Sequence, residues 1–370
     1  MNDDATWMRL ALAEARLGLG TTSPNPSVGA VIVRDGEVLG RGYTRPPGGP
    51  HAEIEALRAA RANGHDPAGA TMFVTLEPCC HHGRTPPCTD AILAAGIGRV
   101  VVGVVDPFPA MRGKSLDLLR EAGVEVRLGV EARSAGELIL GFSRVQAGGL
   151  PEVSLKAAVS LDGCIATEAG ESKWITGEAA RGHGHKLRGT HDAILTGVGT
   201  VLADDPALTN RSGAGGQPRP VVLDSTLRIP AGAQVLQHPA GAVVCCAEDA
   251  PQRALDAEIV RVPRGPGGVD VVAALRAVAR LGMHRVLVEG GGEVHRSMLE
   301  AGLADHLYLY VAPTVIPGGR RWVAGPPLRR LRDAPALGAP KVVQLGDDVL
   351  LHYRLSGGGQ PDALVAKGAR

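Results

Sequence analysis

"LEPCCHHGRTPPC", residues 76–88, packs three cysteines and two histidines into one short segment. Such density points to a metal, but five ligands are too many for one zinc ion, which takes four. Upstream, "PHAEIEAL", residues 50–57, offers His51 at the start of a helical pattern, with Glu53 two residues on. Cys79 follows Pro78 at the end of a strand pattern, and Cys88 follows Pro87 just before a helix pattern. One histidine and two thiolates can hold zinc while leaving the fourth tetrahedral position open, as a catalytic zinc requires. A thiolate at a helix start gains from the positive end of the helix dipole. Glu53 is not expected to be a fourth ligand, because side chains at i and i+2 on a helix point apart; it can instead sit beside the site and shuttle protons. Glu55 shares the face of His51 and is the second candidate for that role. A closed structural zinc, with Cys80 joining Cys79, Cys88 and a histidine, is the competing arrangement.

Working outward, strand and helix patterns alternate on both sides of this segment, which predicts a sheet covered on both faces. "VGAVIVRDGEVLGRGY" predicts two strands around an Asp35-Gly36 type I′ turn. "HAEIEALRAARANG" predicts a helix stopped by Gly64. "SAGELILGFSRVQ" predicts one helix, after which Gly148, Gly149 and Pro151 punctuate the chain. The expected division is residues 1–147, a second α/β domain over 148–355, and a Gly-rich tail, 356–370, expected to be disordered.

The chain has 370 residues, 44 % of them hydrophobic, enough for two cores. Lys plus Arg number 39 and Asp plus Glu 38, so there is no global basic field for nucleic acid, and aromatic residues, at 3 %, give few stacking platforms. No stretch approaches the roughly 20 apolar residues of a membrane span, and the N-terminus lacks a signal-peptide pattern. A cytoplasmic location is expected, where cysteines serve as metal ligands or core residues rather than disulfides.

His51-Ala52-Glu53 followed by "TLEPCCHHGRTPPC" resembles the cytidine-deaminase-like superfamily, with Cys79 and Cys88 set wider than the usual P-C-x-x-C. The extended form, with "SPNPSVGAVIV" at residues 23–33, is similar to the deaminase domain of the bifunctional riboflavin-biosynthesis deaminase–reductases, the RibD type. The resemblance implies zinc ligands at His51, Cys79 and Cys88, proton transfer by Glu53, and an Asn25 that holds the base. From the residues alone, Asn25 is a turn residue between prolines.

In the second half, Lys156 lies in an apolar strand, Gly197 and Gly199 end another, and "RVLVEGGGEVHRSMLEAG" runs from a buried strand through glycines into a helix, a form suited to a pyrophosphate. It is not the dinucleotide fingerprint G-x-G-x-x-G. "SLDG", "GESKWIT", "TVLADDPALTNR", "VVLDS" and "VEGGG", in this order, resemble the reductase domain of the same family. That resemblance implies a dihydrofolate-reductase-like α/β fold and NADPH. It places dinucleotide contacts on Ala158, Trp174, Thr200, Asp204, Ser225 and the turn Gly291, Gly292, Glu293, Val294, His295, Arg296 and Ser297. Substrate contacts fall on Ser172, Arg188, Leu208, Arg211 and Glu289, with Lys156 beside them. Arg188 and Arg211 suit a ribose phosphate.

The implied activity is zinc-dependent deamination of a phosphoribosylated diaminopyrimidinone, then NADPH-dependent reduction of the resulting phosphoribosylaminouracil, by a homo-oligomer. Two rivals stand beside it: a nucleoside or tRNA deaminase fused to a nucleotide-binding regulatory domain, and a structural-zinc module joined to a nucleotide-binding regulator.

Overall fold

The computed structural model describes residues 3–82, 86–108, 111–327 and 329–355. The tail expected to be disordered lies outside them. The chain divides into two compact units that meet in sequence between Gly149 and Leu150.

Unit 1 runs α1 (Asp4–Gly18), β1 (Gly29–Arg34), β2 (Glu37–Tyr43), α2 (Ala52–Ala62), β3 (Thr71–Leu76), α3 (Cys88–Ala94), β4 (Arg99–Val104), α4 (Lys114–Glu121), β5 (Glu125–Leu128), α5 (Ala132–Leu138) and α6 (Leu140–Gln146). Its sheet has the order β2-β1-β3-β4-β5, with β1 antiparallel to both neighbours and β3, β4 and β5 parallel. Asp35 and Gly36 both take positive φ, 51° and 81°, as a two-residue type I′ hairpin demands.

Helices lie on both faces, and glycines mark where they come closest. A Cβ on Gly29 would stand 2.0 Å from the Ala11 carbonyl oxygen of α1, and one on Gly40 2.3 Å from that of Ala56 in α2. Gly103 would meet Ala135 of α5. The core between these layers includes Met8, Leu12, Ile32, Leu57, Phe73 and Val101. One expectation fails locally: the predicted helix over "SAGELILGFSRVQ" breaks at Ile139, whose ψ of 15° with φ of −109° leaves the helical region and starts α6 as a separate segment.

Unit 2 begins with β6 (Glu152–Ser160), β7 (Cys164–Ala166), α7 (Glu178–Arg188), β8 (Ala193–Gly197), α8 (Val198–Asp204), β9 (Arg219–Leu223), β10 (Val243–Ala247) and β11 (Glu258–Val262). It continues with β12 (Arg264–Gly265), β13 (Gly268–Val269), α9 (Val271–Arg280), β14 (Arg285–Val288), α10 (Gly292–Glu300), β15 (His306–Ala312), β16 (Arg320–Arg321), β17 (Lys341–Leu345) and β18 (Asp348–Arg354). The main sheet has the order β11-β10-β9-β8-β14-β6-β15-β18-β17, and only the pairs made by β18 are antiparallel. The period of two along each strand sends alternate side chains to two separate cores. Leu155, Leu195, Val221 and Val288 pack with α9 and α10, whereas Ile194, Val222, Val244 and Leu287 pack with Leu187 of α7 and Val198 of α8. Strands buried on both faces read as continuous apolar runs, which is why they stand out in the sequence. β6 is central, between β14 and β15, so Lys156 is not an edge-strand lysine.

Candidate active sites

In unit 1, three peptide segments converge beyond the carboxyl end of β3. His51 caps the amino end of α2. Cys79 lies just past β3, and Cys88 is the first residue of α3. His51 Nδ1 lies 3.3 Å from Cys88 Sγ and 3.5 Å from Cys79 Sγ, and the three ligand atoms all fall within 4.8 Å of one another. Tetrahedral zinc with ordinary Zn–N and Zn–S bonds sets a nitrogen and a sulfur about 3.6 Å apart, so the donor set fits the ion. Among the described residues this cluster contains neither Cys80 nor Glu55, His81 or His82.

The electrostatics support the same reading. Without a metal, the two sulfurs compete for one proton: the contact with Cys88, then His51, holds the Cys79 thiol well below the ordinary thiol range, while Cys88 is pushed up by Cys79 and by burial. The Cys88 backbone N–H donates to Cys79 Sγ at 3.3 Å, which also favours a thiolate there. A divalent cation would resolve the competition by binding both sulfurs as thiolates. Cys80 is half-exposed, and its thiol is raised by burial and by Glu77.

Glu53 is only 3 % exposed, and burial, then the Cys79 thiolate, raises its carboxyl to about 7. Glu55 is engaged elsewhere, paired with Arg45 at 2.7 Å and Arg58 at 3.3 Å. A cavity of about 490 Å³ opens over the cluster, with His51, Glu53 and Cys79 on its wall, and Asn25 and Thr44 on the same wall. Its remaining boundary includes Glu77, His81, Asp106, Phe108, Met111 and Phe142. The sequence reading overlooked most of these; only Glu77 carries a local signal, an acidic residue between a buried strand and the Pro-Cys step.

In unit 2, Glu289 follows β14 and is gripped from two sides. Arg188 Nε donates to Oε1 at 2.7 Å and Nη2 to Oε2 at 2.9 Å, while Lys156 Nζ lies 3.5 Å from Oε2. Arg188 Nη1 donates to the Thr209 carbonyl at 2.8 Å. The guanidinium of Arg188, expected to suit a ribose phosphate, is paired with Glu289 here. Arg211 is exposed, with its Nε 3.3 Å from His185 Nε2. Leu208 takes a left-handed φ of 51° and its side chain is buried in the core.

Of the expected dinucleotide contacts, several come together. Gly291 lies close to Thr200, whose Oγ1 is 3.8 Å from where a Cβ would sit. Ser225 lies against the Gly268 backbone, and Ser297 against Gly267. Ser172 Oγ donates to Asp204 at 3.2 Å. Trp174 is 66 % exposed, with the Arg181 guanidinium 4.8 Å above its ring. Gly290 and Gly292 allow the turn to pack: Cβ atoms there would meet Val294 at 2.9 Å and the Arg321 carbonyl at 2.6 Å. Ala158 sits on β6 opposite Tyr310 of β15. Other members of the turn face inward or pair locally. His295 is buried against the Trp322 carbonyl, and Arg296 pairs with Glu293 at 2.8 Å.

Residues 1–104 match the cytidine and deoxycytidylate deaminase zinc-binding region, and residues 151–351 match the RibD C-terminal domain. The chain is 39 % identical over 364 residues to the riboflavin biosynthesis protein RibD of Escherichia coli, covering 94 % of this chain and 98 % of that one. It is 40 % identical over 355 residues to RibD of Bacillus amyloliquefaciens, covering 93 % and 94 %. Among solved structures, a diaminohydroxyphosphoribosylaminopyrimidine deaminase/5-amino-6-(5-phosphoribosylamino)uracil reductase from Thermotoga maritima aligns with a TM-score of 0.83 at 36 % identity, covering 95 % of this chain and 98 % of that one. The chain belongs to the RibD family, the bifunctional deaminase–reductases of riboflavin biosynthesis.

Proposed function

We propose that unit 1 removes an exocyclic amine from 2,5-diamino-6-(5-phosphoribosylamino)pyrimidin-4(3H)-one, and that unit 2 reduces the resulting 5-amino-6-(5-phosphoribosylamino)uracil at its ribose to the ribitylamino product. The observation that carries the first half is the buried Glu53 on the wall of the cavity that also holds His51 and Cys79. His51, Cys79 and Cys88 would hold the zinc. Zinc in a three-ligand site supplies Lewis acidity, making water nucleophilic near neutral pH. Glu53, buried on the cavity wall, would accept a proton from the attacking water and deliver it to the departing nitrogen; burial raises its carboxyl, which suits it to both transfers. Asn25, on the same wall, orients the base.

In unit 2, NADPH supplies the hydride. Thr200, Asp204, Ser225, Trp174, Ala158 and the Gly291–Ser297 turn would hold the dinucleotide. Arg211, Ser172, Leu208 and the Lys156–Glu289–Arg188 cluster bind the substrate. Lys156, beside Glu289, contributes a further substrate contact in this reading. The substrate is a free small molecule and not a nucleic acid, consistent with a formal net charge of +1. The enzyme works in the cytoplasm as a homo-oligomer, in line with its family; among the described residues no helix is long and apolar enough to cross a membrane.

The test is a two-stage assay on one preparation: zinc-dependent ammonia release, then NADPH oxidation on the same substrate. Glu53→Gln is expected to abolish the first and spare the second on pre-deaminated substrate. Ammonia release that survives Glu53→Gln would refute this role for Glu53.

A further inference from the structure

Glu77 lies one residue beyond β3, two before Cys79, and is 5 % exposed. Its backbone N–H donates to the Val104 carbonyl at 2.9 Å, extending the β3–β4 pairing and fixing where its side chain starts. Its carboxylate then collects four hydrogen bonds from one neighbouring stretch. Asp106 N–H and Gly113 N–H both donate to Oε2 at 2.9 Å, while Ser115 N–H donates to Oε1 at 3.2 Å and Ser115 Oγ–H at 2.8 Å. No side chain of α4 caps its own start: its cap residue is Gly113, at φ 80°. Glu77 supplies the missing acceptor from another strand and places negative charge where the helix dipole favours it.

One of the residues held this way, Asp106, belongs to a wall of the cavity. Asp106, Phe108 and Met111 line it. The anchoring passes from one to the next, since Asp106 Oδ1 accepts from Phe108 N–H at 2.8 Å. Phe108 is 46 % exposed although it is a large apolar side chain, one of three phenylalanines in the protein. An exposed aromatic ring on a cavity rim suits a flat heterocycle.

We propose that Glu77 is a positioning residue for deamination. It ties the Asp106–Phe108–Met111 wall to the same strand end that carries Cys79, and so sets the distance between the substrate-facing ring of Phe108 and the His51–Cys79–Cys88 cluster. Glu77 is part of the cavity boundary, but both its carboxylate oxygens are taken up by these four bonds, so it acts through the wall. Its loss therefore loosens contacts made equally by bound substrate and transition state, which raises KM and leaves kcat. This rests on the cavity being the deaminase site.

The test is steady-state ammonia release by the full-length enzyme carrying Glu77→Gln, with zinc content and reductase activity measured on the same preparation. KM is expected to rise about tenfold or more, the order expected when charge-assisted hydrogen bonds are lost. The turnover number should stay within about threefold, with zinc and reductase activity unchanged. Ser115→Ala, which removes one of the four bonds, should shift KM in the same direction by less. Because Glu77 acts through the wall, its effect should shrink in a Phe108→Ala background. Wild-type KM in Glu77→Gln overturns the proposal, as does a fall in kcat and zinc content at constant KM, which would make Glu77 a support of the metal. Full additivity with Phe108→Ala would overturn it too. Should Glu77→Gln fail to fold, unchanged KM in Ser115→Ala decides against it. If Glu53→Gln also retained ammonia release, the site assignment would fall; loss in Glu53→Gln with wild-type KM in Glu77→Gln would sink only the anchor.

Discussion

Arg188 and Glu289 meet at two points, Nε to Oε1 at 2.7 Å and Nη2 to Oε2 at 2.9 Å, with side chains only 17 % and 10 % exposed. Burial alone would raise the Glu289 pKa, but Arg188 and Lys156 overwhelm that effect and hold its carboxyl well below the usual carboxylate range. The pair is thus an integral charge cluster, whereas Arg211 is exposed on the surface. The two arginines should separate in experiment. Arg188→Ala leaves a largely buried carboxylate with one partner, and should lower stability by about 3 kcal/mol and abolish reduction. Arg211→Ala should change stability by less than about 0.5 kcal/mol, yet raise the reductase KM about tenfold. Urea unfolding and NADPH oxidation check the contrast; equal stability losses would refute it.

The two glutamates at the start of α2 should diverge as sharply. Glu53 is buried on the cavity wall, and Glu55 is held by Arg45 and Arg58. Glu53→Gln should cost roughly 10²–10⁴ in deamination rate, the range for a general acid–base. Glu55→Gln should stay within about threefold. Cys79→Ser should lose zinc and ammonia release together while Cys80→Ser retains both. Metal analysis beside the ammonia assay reads all four variants, and zinc loss in Cys80→Ser alone would move the ligand to the adjacent sulfur.

The sequence exposed what depends on short-range pattern. The Asp35-Gly36 turn is legible because only a few residue pairs tolerate two positive φ angles, and the apolar runs of β8, β10 and β14 because both faces of the sheet are covered. The metal cluster is legible because its residue types are rare and their flanking prolines mark element ends. What escaped depends on contacts between distant segments. β17 has no buried residue and β18 alternates only weakly; β18 takes its register from β15, and β17 takes its own from β18. The clamp of Glu77 on Ser115 spans 38 residues, and nothing near Ser115 announces its partner. That Arg188 pairs with Glu289, 101 residues away, is likewise invisible along the chain.

The glycines of unit 2 are not equivalent, and substitution should show it. A Cβ on Gly292 would lie 2.6 Å from the Arg321 carbonyl oxygen and 2.7 Å from the Ala324 nitrogen. Both are backbone atoms, so Gly292→Ala must push the Arg321–Ala324 segment off the first turn of α10. NADPH affinity should fall about tenfold, at a stability cost of about 1–3 kcal/mol. Gly199, inside α8, has nothing within 4 Å of its would-be Cβ. Gly199→Ala should be neutral or stabilise by up to about 1 kcal/mol. NADPH titration and thermal unfolding measure both, and similar behaviour of the two variants would contradict the packing argument.

His191 should give the protein a defined acid sensitivity. It is 1 % exposed, with Nδ1 2.8 Å from the Leu187 carbonyl and Nε2 3.0 Å from Ser154 Oγ. The neutral ring fits if Nδ1–H donates to the carbonyl and Nε2 accepts from the hydroxyl. Burial, reinforced by the positive charge of Arg285, pushes its pKa from 6.5 to about 3. The unfolded chain therefore takes up a proton below pH 6.5 that the folded chain refuses. Stability contributed by the neutral ring is fully present above pH 6.5 and declines as pH falls toward 3, with a slope approaching about 1.4 kcal/mol per pH unit. Glu152, held at about 2 by Arg285 and His306 against the effect of burial, adds to the loss only once the unfolded carboxyl protonates below about 4.5. Between pH 6.5 and 5 the His191 contribution is thus separable from that of Glu152. His191→Gln cannot titrate, so its urea-unfolding free energy should fall less steeply across that interval than that of the unsubstituted protein. Identical slopes would mean that His191 is not held neutral in the fold.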